Sequence, residues 1–285
     1  MNRSRLALGS IVCGLLALVG SACAPNEVSF YIRQAQVPQA TGMGGMCTVT
    51  GDPSALMSQE GTMDLAFTTS YFISPLYVNQ LVGYADPMAL RAETRGIFVE
   101  GADIYLYNTT PPDPYAHEGA MNLLASTTVY TSTFVPAGSS QGLGYAVGGL
   151  EIISPSIPGL AASLRASCVL QPVDSRPECP PRIVRGASMR IVAVIRPFGH
   201  TQGGIRLQGA EFRYSINTCC GCLLRFPAAA DSSMHPGPDC NEGAPDPSCS
   251  FGQDRSLDCR LCSQSDPLCQ PPGYTPAGST MPCAR

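Results

Sequence analysis

The segments Met189-Arg-Ile-Val-Ala-Val-Ile-Arg196 and Ile205-Arg-Leu-Gln-Gly-Ala-Glu-Phe-Arg-Tyr-Ser-Ile-Asn217 decide the fold class. β-Branched and aromatic residues are frequent in both, as they are in β-strands. In the second segment Phe212, Tyr214 and Ile216 fall on one face, and the residues between them are polar. This alternation predicts a strand that is buried on one side and exposed on the other.

Further strands are predicted around this pair by the same composition and alternation. We expect Pro75 to break one of these apolar runs and Gly101 to kink another. The strands cover residues 28–37, 63–67, 70–82, 96–108, 127–135 and 145–153.

The segments between these strands predict turns and loops. Residues 196–204 contain three glycines and predict a hairpin loop, and the Pro-rich segments 110–125 and 154–187 predict longer loops. The one helix signal covers 86–94, where an aspartate precedes a proline at the first turn. We therefore expect a mainly β fold, an antiparallel β-sandwich that is either one large unit or two small Ig-like ones.

The charge composition excludes several function classes. All 17 basic residues are arginines, against 21 acidic residues, which gives a net charge of −4. A chain without lysine cannot form a lysine Schiff base or use a phosphate-loop lysine. Because acidic residues outnumber basic ones, the sequence does not predict the basic surface that nucleic-acid binding requires, and we expect no nucleic-acid partner.

The N-terminus predicts export and lipidation. A basic start is followed by the apolar run Leu6–Val19, which is too short to span a membrane comfortably. The next residues, Gly20-Ser-Ala-Cys23, resemble the lipobox of bacterial lipoproteins. We therefore expect residues 1–22 to be a signal peptide, Cys23 to carry the lipid that binds the membrane, and 23–26 to be a tether. The alternative is cleavage near Ala22 or Ala24, which would give a soluble periplasmic or secreted protein.

Cysteine usage points to the same compartment. Of 14 cysteines, Cys13 leaves with the signal peptide and Cys23 takes the lipid. An even number remains, as complete disulfide pairing requires, and the sequence leaves the connectivity open. We predict disulfides, with no metal and no cofactor, at Cys47, Cys168, Cys179, Cys219, Cys220, Cys222, Cys240, Cys249, Cys259, Cys262, Cys269 and Cys283.

The chain changes character after residue 225. Residues 27–225 form the predicted sandwich region, whereas 226–285 contain ten prolines and six cysteines. The apolar share of this tail is too low for a packed core, so we expect a disulfide-stapled or loosely tethered segment. Within it, the Cys259-x2-Cys262 spacing also suits one side of a zinc site or a redox pair.

Other candidate sites are weaker. Ser140 lies in a G-x-S-x-G pattern, for which Asp174 and His200 complete a possible hydrolase triad, but the following residues do not predict the required helix. We therefore favour a flexible hairpin loop here, since a chain with 29 glycines contains such a pattern by chance. His117 and His235 stand alone, and calcium is the alternative to a solvated loop at Asp239, Asn241, Glu242 and Asp246.

Several segments resemble one group of bacterial proteins. They are Tyr71–Val82, Arg91–Val99, Gly101-Ala102, Phe212–Cys222 and Gln253–Cys262. In these patches, between about 70 and 262, the chain is similar to uncharacterised cysteine-rich envelope lipoproteins of myxobacteria-like bacteria. The resemblance implies an envelope lipoprotein and brings no activity with it.

These observations favour a non-catalytic outer-membrane lipoprotein that binds or scaffolds a protein or an envelope polymer. Sorting to the outer membrane is predicted because Ala24, rather than an aspartate, follows the lipidated cysteine. The alternative is an exported, hydrolase-like enzyme whose site is assembled from loops.

The lipobox can be tested directly. Mature protein should begin at Cys23, carry acyl chains and partition into detergent, whereas Cys23→Ser should be released or remain unprocessed. Intact mass spectrometry checks this, and an unmodified N-terminus at Ala24 or later would contradict the lipoprotein prediction.

Overall fold

A computed structural model describes residues 29–41, 46–83, 94–109, 122–139, 142–166, 168–172, 181–186, 189–225 and 249–261. The predicted signal peptide, the tether and all but the last residue of the predicted helix 86–94 lie outside these residues.

Nearly all of the regular structure is β. One helix is present in the described residues, α1 (Leu160–Ala166), together with a 3₁₀ turn at Cys259–Leu261. The strands are β1 (Phe30–Gln36), β2 (Gln39–Thr41), β3 (Met46–Thr48), β4 (Met57–Ser58), β5 (Glu60–Asp64), β6 (Tyr71–Asn79), β7 (Ile97–Thr109), β8 (Asn122–Val135), β9 (Gly144–Val147), β10 (Leu150–Ile153), β11 (Cys168–Pro172), β12 (Pro181–Gly186), β13 (Met189–Thr201), β14 (Arg206–Gln208), β15 (Phe212–Cys219), β16 (Leu224–Arg225) and β17 (Leu257–Asp258).

Two larger sheets form the body of the protein. The first has the order β10-β6-β1-β4, and β9 also pairs with β6. The second has the order β5-β15-β13-β7-β8, and β14 pairs with β13. Within these two sheets the pairings are antiparallel except that between β5 and β15, which is parallel and makes the second sheet mixed. The smaller pairs are β2-β3, β11-β12 and β16-β17.

The two sheets share one hydrophobic core. Ile32, Ile73 and Tyr77 of the first sheet belong to the same buried cluster as Ile104 and Ile191 of the second. The predicted mainly β class is therefore confirmed. The shared core supports the interpretation as a single sandwich, since each sheet buries one face against the other.

Strand β6 continues through Pro75, contrary to the expected break. Residue 75 lies between the part of β6 that pairs with β10 and the part that pairs with β9. The carbonyl of Pro75 accepts a hydrogen bond from the Gly148 N–H, 3.1 Å away, in the connection between β9 and β10. A residue's N–H and C=O point to the same side of a strand, so the missing N–H falls where the ladder is interrupted.

The predicted hairpin is present, but its loop is shorter than 196–204. Strand β13 runs to Thr201, its last four residues pair with β7, and only residues 202–205 form the turn that leads into the antiparallel partner β14. The side chains explain this extension, because the His200 ring stacks on Phe98 with centroids 5.4 Å apart. Gly199 allows the close approach, since a Cβ there would lie 2.1 Å from the Phe98 carbonyl oxygen.

Segment 154–187 is more ordered than expected. It contains α1, whose Leu160 and Leu164 are buried in the core together with Ile157, and the β11-β12 hairpin. The helical spacing of these apolar residues was the signal that the Pro-rich composition concealed. Strand β8 begins at residue 122, so residues 122–125, the end of the predicted loop 110–125, belong to a strand.

Gly101 marks a β-bulge, which is the structural form of the expected kink. Register shifts between Val99 and Gly101 in the pairing of β7 with both of its neighbours. A Cβ atom at Gly101 would lie 2.4 Å from the Val129 carbonyl oxygen and 2.8 Å from the Phe198 ring. Only glycine leaves room for three strands to meet at this point.

The described part of the C-terminal tail, 249–261, packs against the sandwich region. Gly252 accepts a hydrogen bond from the Asp64 N–H at 2.9 Å, and Leu257 is buried among apolar residues that include Phe67 and Leu223. The tail supplies few apolar side chains itself, but the sandwich region provides their partners. The domain boundary at 225 stays a prediction.

Replacing Gly101 by alanine should destabilise the protein by about 1–3 kcal/mol, because the new methyl group meets backbone that cannot move freely. Gly51→Ala is the matched control: a Cβ atom at residue 51 would have no described atom within 4 Å beyond its own chain neighbours, so we expect a change within about 0.5 kcal/mol. Urea denaturation measures both. Equal stability of the two variants would show that the bulge does not need glycine.

Candidate functional site: a cleft beside a buried tyrosine pair

Two tyrosines from opposite sheets meet at one end of the core. The hydroxyl groups of Tyr71 in β6 and Tyr214 in β15 lie 3.4 Å apart. Tyr71 donates a hydrogen bond to Asp254 Oδ1 at 2.6 Å, and Tyr214 donates one to Ser58 Oγ at 2.9 Å. We call Ser58, Tyr71, Tyr214 and Asp254 the tyrosine network. It joins both sheets to the C-terminal tail.

Gly61 in β5 makes room for this network. A Cβ atom at residue 61 would lie 1.7 Å from the Tyr71 hydroxyl and 2.5 Å from the ring carbon that carries it. Any side chain at this position would displace Tyr71 and break its hydrogen bonds.

Asp254 also closes an edge of the second sheet. Its N–H donates to the Thr62 carbonyl at 2.9 Å, and its Oδ1 accepts from the Thr62 N–H at 2.8 Å. Its backbone has a φ of 58°, in the left-handed region that aspartate tolerates better than most residues. The preceding residue, Gln253, binds the first sheet. Its side-chain amide accepts a hydrogen bond from the Phe72 N–H and donates one to the Ser70 carbonyl. The tail thus covers strand edges that would otherwise expose unpaired backbone groups.

Burial keeps the tyrosines neutral. It raises the pKa of the Tyr71 hydroxyl well above its usual value, and the adjacent Asp254 carboxylate raises it further. Burial also raises the pKa of Tyr77 and of Tyr214. In each case the low-polarity surroundings disfavour the phenolate anion.

A cleft of about 420 Å³ opens beside the network. Its polar lining includes Ser58, Tyr214 and Gln36, and its rim carries apolar side chains. Leu56, Met57 and Phe72 contribute to that rim and are 64%, 47% and 51% exposed. Gln36 is buried, donates from Nε2 to the Asp52 carbonyl at 2.8 Å, and has no hydrogen-bond partner for Oε1 in the described part of the chain.

The charged residues that line the cleft are Glu60, Asp254 and Arg255. Glu60 pairs with Arg190, N to O 3.4 Å, and Arg255 donates to the Pro38 carbonyl at 3.5 Å. The cleft thus combines exposed apolar side chains, hydroxyl groups and charges of both signs. Such a lining can hold a molecule that is apolar over part of its length and polar over the rest.

The nominated catalytic residues are not seen together. His200 lies on the face of β13 opposite the core, where its Nδ1 is 3.1 Å from Glu100 Oε1, and it is not part of the cleft lining. Ser140 and Asp174 lie outside the described residues, as do His117, His235 and the acidic segment 239–246.

Disulfides are present at seven of the predicted positions. Three bridges join described residues: Cys47–Cys249, Cys168–Cys220 and Cys219–Cys222. Cys259 is disulfide-bonded as well, which removes its thiolate from the zinc alternative. Outside the described residues lie Cys23, Cys179, Cys240, Cys262, Cys269 and Cys283.

Comparison with protein-family models, with curated proteins and with solved structures finds no match. The resemblance to myxobacterial envelope lipoproteins therefore stays a prediction. The disulfides indicate an oxidising compartment outside the cytoplasm. Within the described residues, no helix has the length and apolar character needed to cross a membrane.

Sequence reasoning missed the site almost entirely. It placed Tyr214 on a buried strand face, but no pattern pointed to Tyr71, Asp254 or Gly61 as its partners. It also assigned the redox alternative to Cys259 and Cys262 and overlooked that Cys219 and Cys222 have the same spacing.

The buried tyrosines predict an alkaline instability. Because the pKa of Tyr71 is raised in the folded state, the folded protein holds more protons than the unfolded chain above the ordinary tyrosine value of 10.0. The buried hydroxyl therefore makes its full contribution to the free energy of unfolding below that pH, and the free energy of unfolding falls as the pH rises above it. Urea unfolding at pH 8, 10 and 11 should show this fall, and Tyr71→Phe should reduce its slope.

The control for this measurement is Tyr130→Phe, since Tyr130 is 79% exposed. Its pH dependence should match that of the unaltered protein. If Tyr71→Phe shows the same slope as this control, burial of the Tyr71 hydroxyl is not the cause.

Proposed function

We propose that this protein is a lipoprotein of the outer membrane and that its cleft beside the tyrosine network is a non-catalytic site that binds an amphipathic molecule. The observation that carries the binding role is a cleft lined by the exposed apolar side chains of Leu56, Met57 and Phe72 together with a few polar groups, among them the hydroxyl groups of Ser58 and Tyr214. Envelope location and anchoring rest on the lipobox at Cys23 and on the disulfides.

The rim would supply the binding free energy. Covering exposed apolar surface releases about 25 cal/mol for each Å² removed from water. Three large apolar side chains around one opening offer more such surface than an isolated exposed residue would. The hydroxyl groups of Ser58 and Tyr214 would orient the polar part of the ligand.

The walls of the cleft are held in place before any ligand arrives. The Cys47–Cys249 bridge joins the tail to β3, and the hydrogen bonds of Asp254 join the tail to β5 and β6. A preformed site loses less conformational entropy on binding than a flexible one does. A preformed cleft therefore favours a small ligand over a larger partner to which the cleft would have to adapt its shape.

An apolar naphthalene dye whose fluorescence rises in apolar surroundings tests the cleft. We expect saturable binding of one dye per protein, and Leu56→Asp should weaken it about tenfold or more, since the lost apolar contact corresponds to at least about 1.4 kcal/mol. Leu123→Asp is the matched control because Leu123 is 55% exposed in β8 and does not line the cleft.

The two variants must first show unchanged circular dichroism, because dyes of this kind also bind loosely packed protein. Equal weakening in both variants, or no saturable binding at all, would reject the cleft as a binding site. Binding that survives in Leu123→Asp and weakens in Leu56→Asp supports it.

A further inference from the structure

The Cys219–Cys222 bridge closes a two-residue loop at the end of β15. Gly221 within the loop has a φ of 70°, which glycine adopts without strain. The loop is tied to β5 by a buried carboxylate. Asp64 accepts hydrogen bonds from the Gly221 N–H at 2.6 Å and from the Leu223 N–H at 2.9 Å.

The same carboxylate lies beside both sulfur atoms. One carboxylate oxygen of Asp64 and the Sγ atoms of Cys219 and Cys222 all lie within 4.8 Å of one another. Asp64 is fully buried, Cys219 is half-buried and Cys222 is exposed. Cys222 is therefore the more accessible of the two cysteines, and a carboxylate that can take a proton lies close to both sulfur atoms.

Of the three bridges between described residues, this one restricts the unfolded chain least. Its cysteines are 3 residues apart, whereas the other two described bridges join residues 202 and 52 apart. Stabilisation by a disulfide grows with the length of the loop that it closes. Exposed disulfides are also the ones most readily reduced. Loop length sets this bridge apart from both of the other described bridges, whereas exposure sets it apart only from Cys168–Cys220, since Cys47 is exposed as well.

We propose that Cys219–Cys222 is a thiol–disulfide exchange site that acts on the dithiol of a partner protein, with Cys222 as the attacked sulfur and Asp64 as the proton acceptor for Cys219. This activity is independent of the cleft and of the ligand proposed for it.

The exchange proceeds in two balanced steps. A thiolate of the partner dithiol attacks Sγ of Cys222, the Cys219–Cys222 bond breaks, and its electron pair leaves on Sγ of Cys219. The second thiolate of the partner then attacks the partner sulfur that is bonded to Cys222, and Cys222 is released. The partner is oxidised to a disulfide, and Cys219 and Cys222 take up its two protons and become thiols.

A small disulfide such as glutathione disulfide restores the bridge. Cys222 loses its proton to water, and its thiolate attacks one glutathione sulfur and releases the other glutathione as a thiolate. Cys219 then gives its proton to the Asp64 carboxylate while its sulfur attacks Cys222 and releases the second glutathione thiolate. The two thiolates take up these two protons, one from water and one from Asp64, so that the carboxylate is restored and two glutathione thiols leave. Cys220 stays out of the reaction because it is buried and already bonded to Cys168.

Graded reduction of the unaltered protein is the first test. Dithiothreitol is raised in steps, free thiols are alkylated, and peptides are identified by mass. Cys219 and Cys222 should be alkylated at a reductant concentration about tenfold lower or more than Cys47, Cys249, Cys168 and Cys220. Simultaneous reduction of the three bridges, or earlier reduction of another one, would overturn the proposal.

The second test measures turnover. Oxidation of a reduced two-cysteine peptide by glutathione disulfide should be accelerated by the protein. The double variant Cys219→Ala/Cys222→Ala should abolish this acceleration, and Cys168→Ala/Cys220→Ala is the matched control that should retain it. Acceleration that persists without Cys219 and Cys222, or none from the unaltered protein, would also overturn the proposal.

Asp64→Asn removes the proton acceptor. Both oxygens of Asp64 accept backbone N–H bonds, so the amide keeps one acceptor but turns its NH₂ group towards the other N–H, which also weakens the loop. Closure of the mixed disulfide by Cys219 should slow about tenfold or more at neutral pH, and this slowing should lessen as the pH rises, because water then removes the thiol proton. Asp103→Asn is the control, because Asp103 accepts a hydrogen bond from Thr128 in the second sheet and plays no part in this loop. An unchanged closure rate in Asp64→Asn with a lowered melting temperature would assign Asp64 to loop support alone and remove it from the proposal.

Discussion

The hydrogen bond from the Tyr71 hydroxyl to the Asp254 carboxylate joins the tail to the core between the two sheets. Tyr71 belongs to the first sheet, its neighbour Tyr214 to the second, and Asp254 to the tail. This hydrogen bond acts together with the bonds of Gln253 and Gly252, which hold the tail against the first and the second sheet. The contact in turn exists because Gly61 has no side chain to occupy the same space.

Carboxylates in this chain accept hydrogen bonds from backbone N–H groups as well as forming ion pairs with cations. Asp254 accepts the N–H of Thr62, and Asp64 accepts N–H groups from a loop more than 150 residues away in the chain. Asp64 is fully buried, and its carboxylate is stable there because backbone donors satisfy its oxygens. A protein without lysine and with few charges thus connects distant segments through aspartate, and both the cleft and the Cys219–Cys222 loop depend on such a connection.

The strands were predictable because alternation is a local property. Residues 212–217 alternate as a half-buried strand must, and β15 has that exposure pattern. Where local signals failed, a distant partner outweighed them. Pro75 suggested a break, but the interruption between β9 and β10 accommodates it. The glycines of 196–204 suggested a loop, but pairing with β7 extends β13 through Gly199. Ile157, Leu160 and Leu164 had a helical spacing that the surrounding prolines obscured.

By itself, the sequence determined the mainly β class, the net charge and the disulfide-rich character of this protein. Each of these follows from composition or from the spacing of neighbouring residues. Only the tertiary structure decided which cysteines pair, where the cleft opens and which carboxylate lies beside the Cys219–Cys222 bridge. Those features depend on groups far apart in the chain: Tyr71 and Tyr214 are separated by 143 residues, and Tyr71 and Asp254 by 183. No local pattern encodes such distances, because they arise only when the two sheets pack on one core.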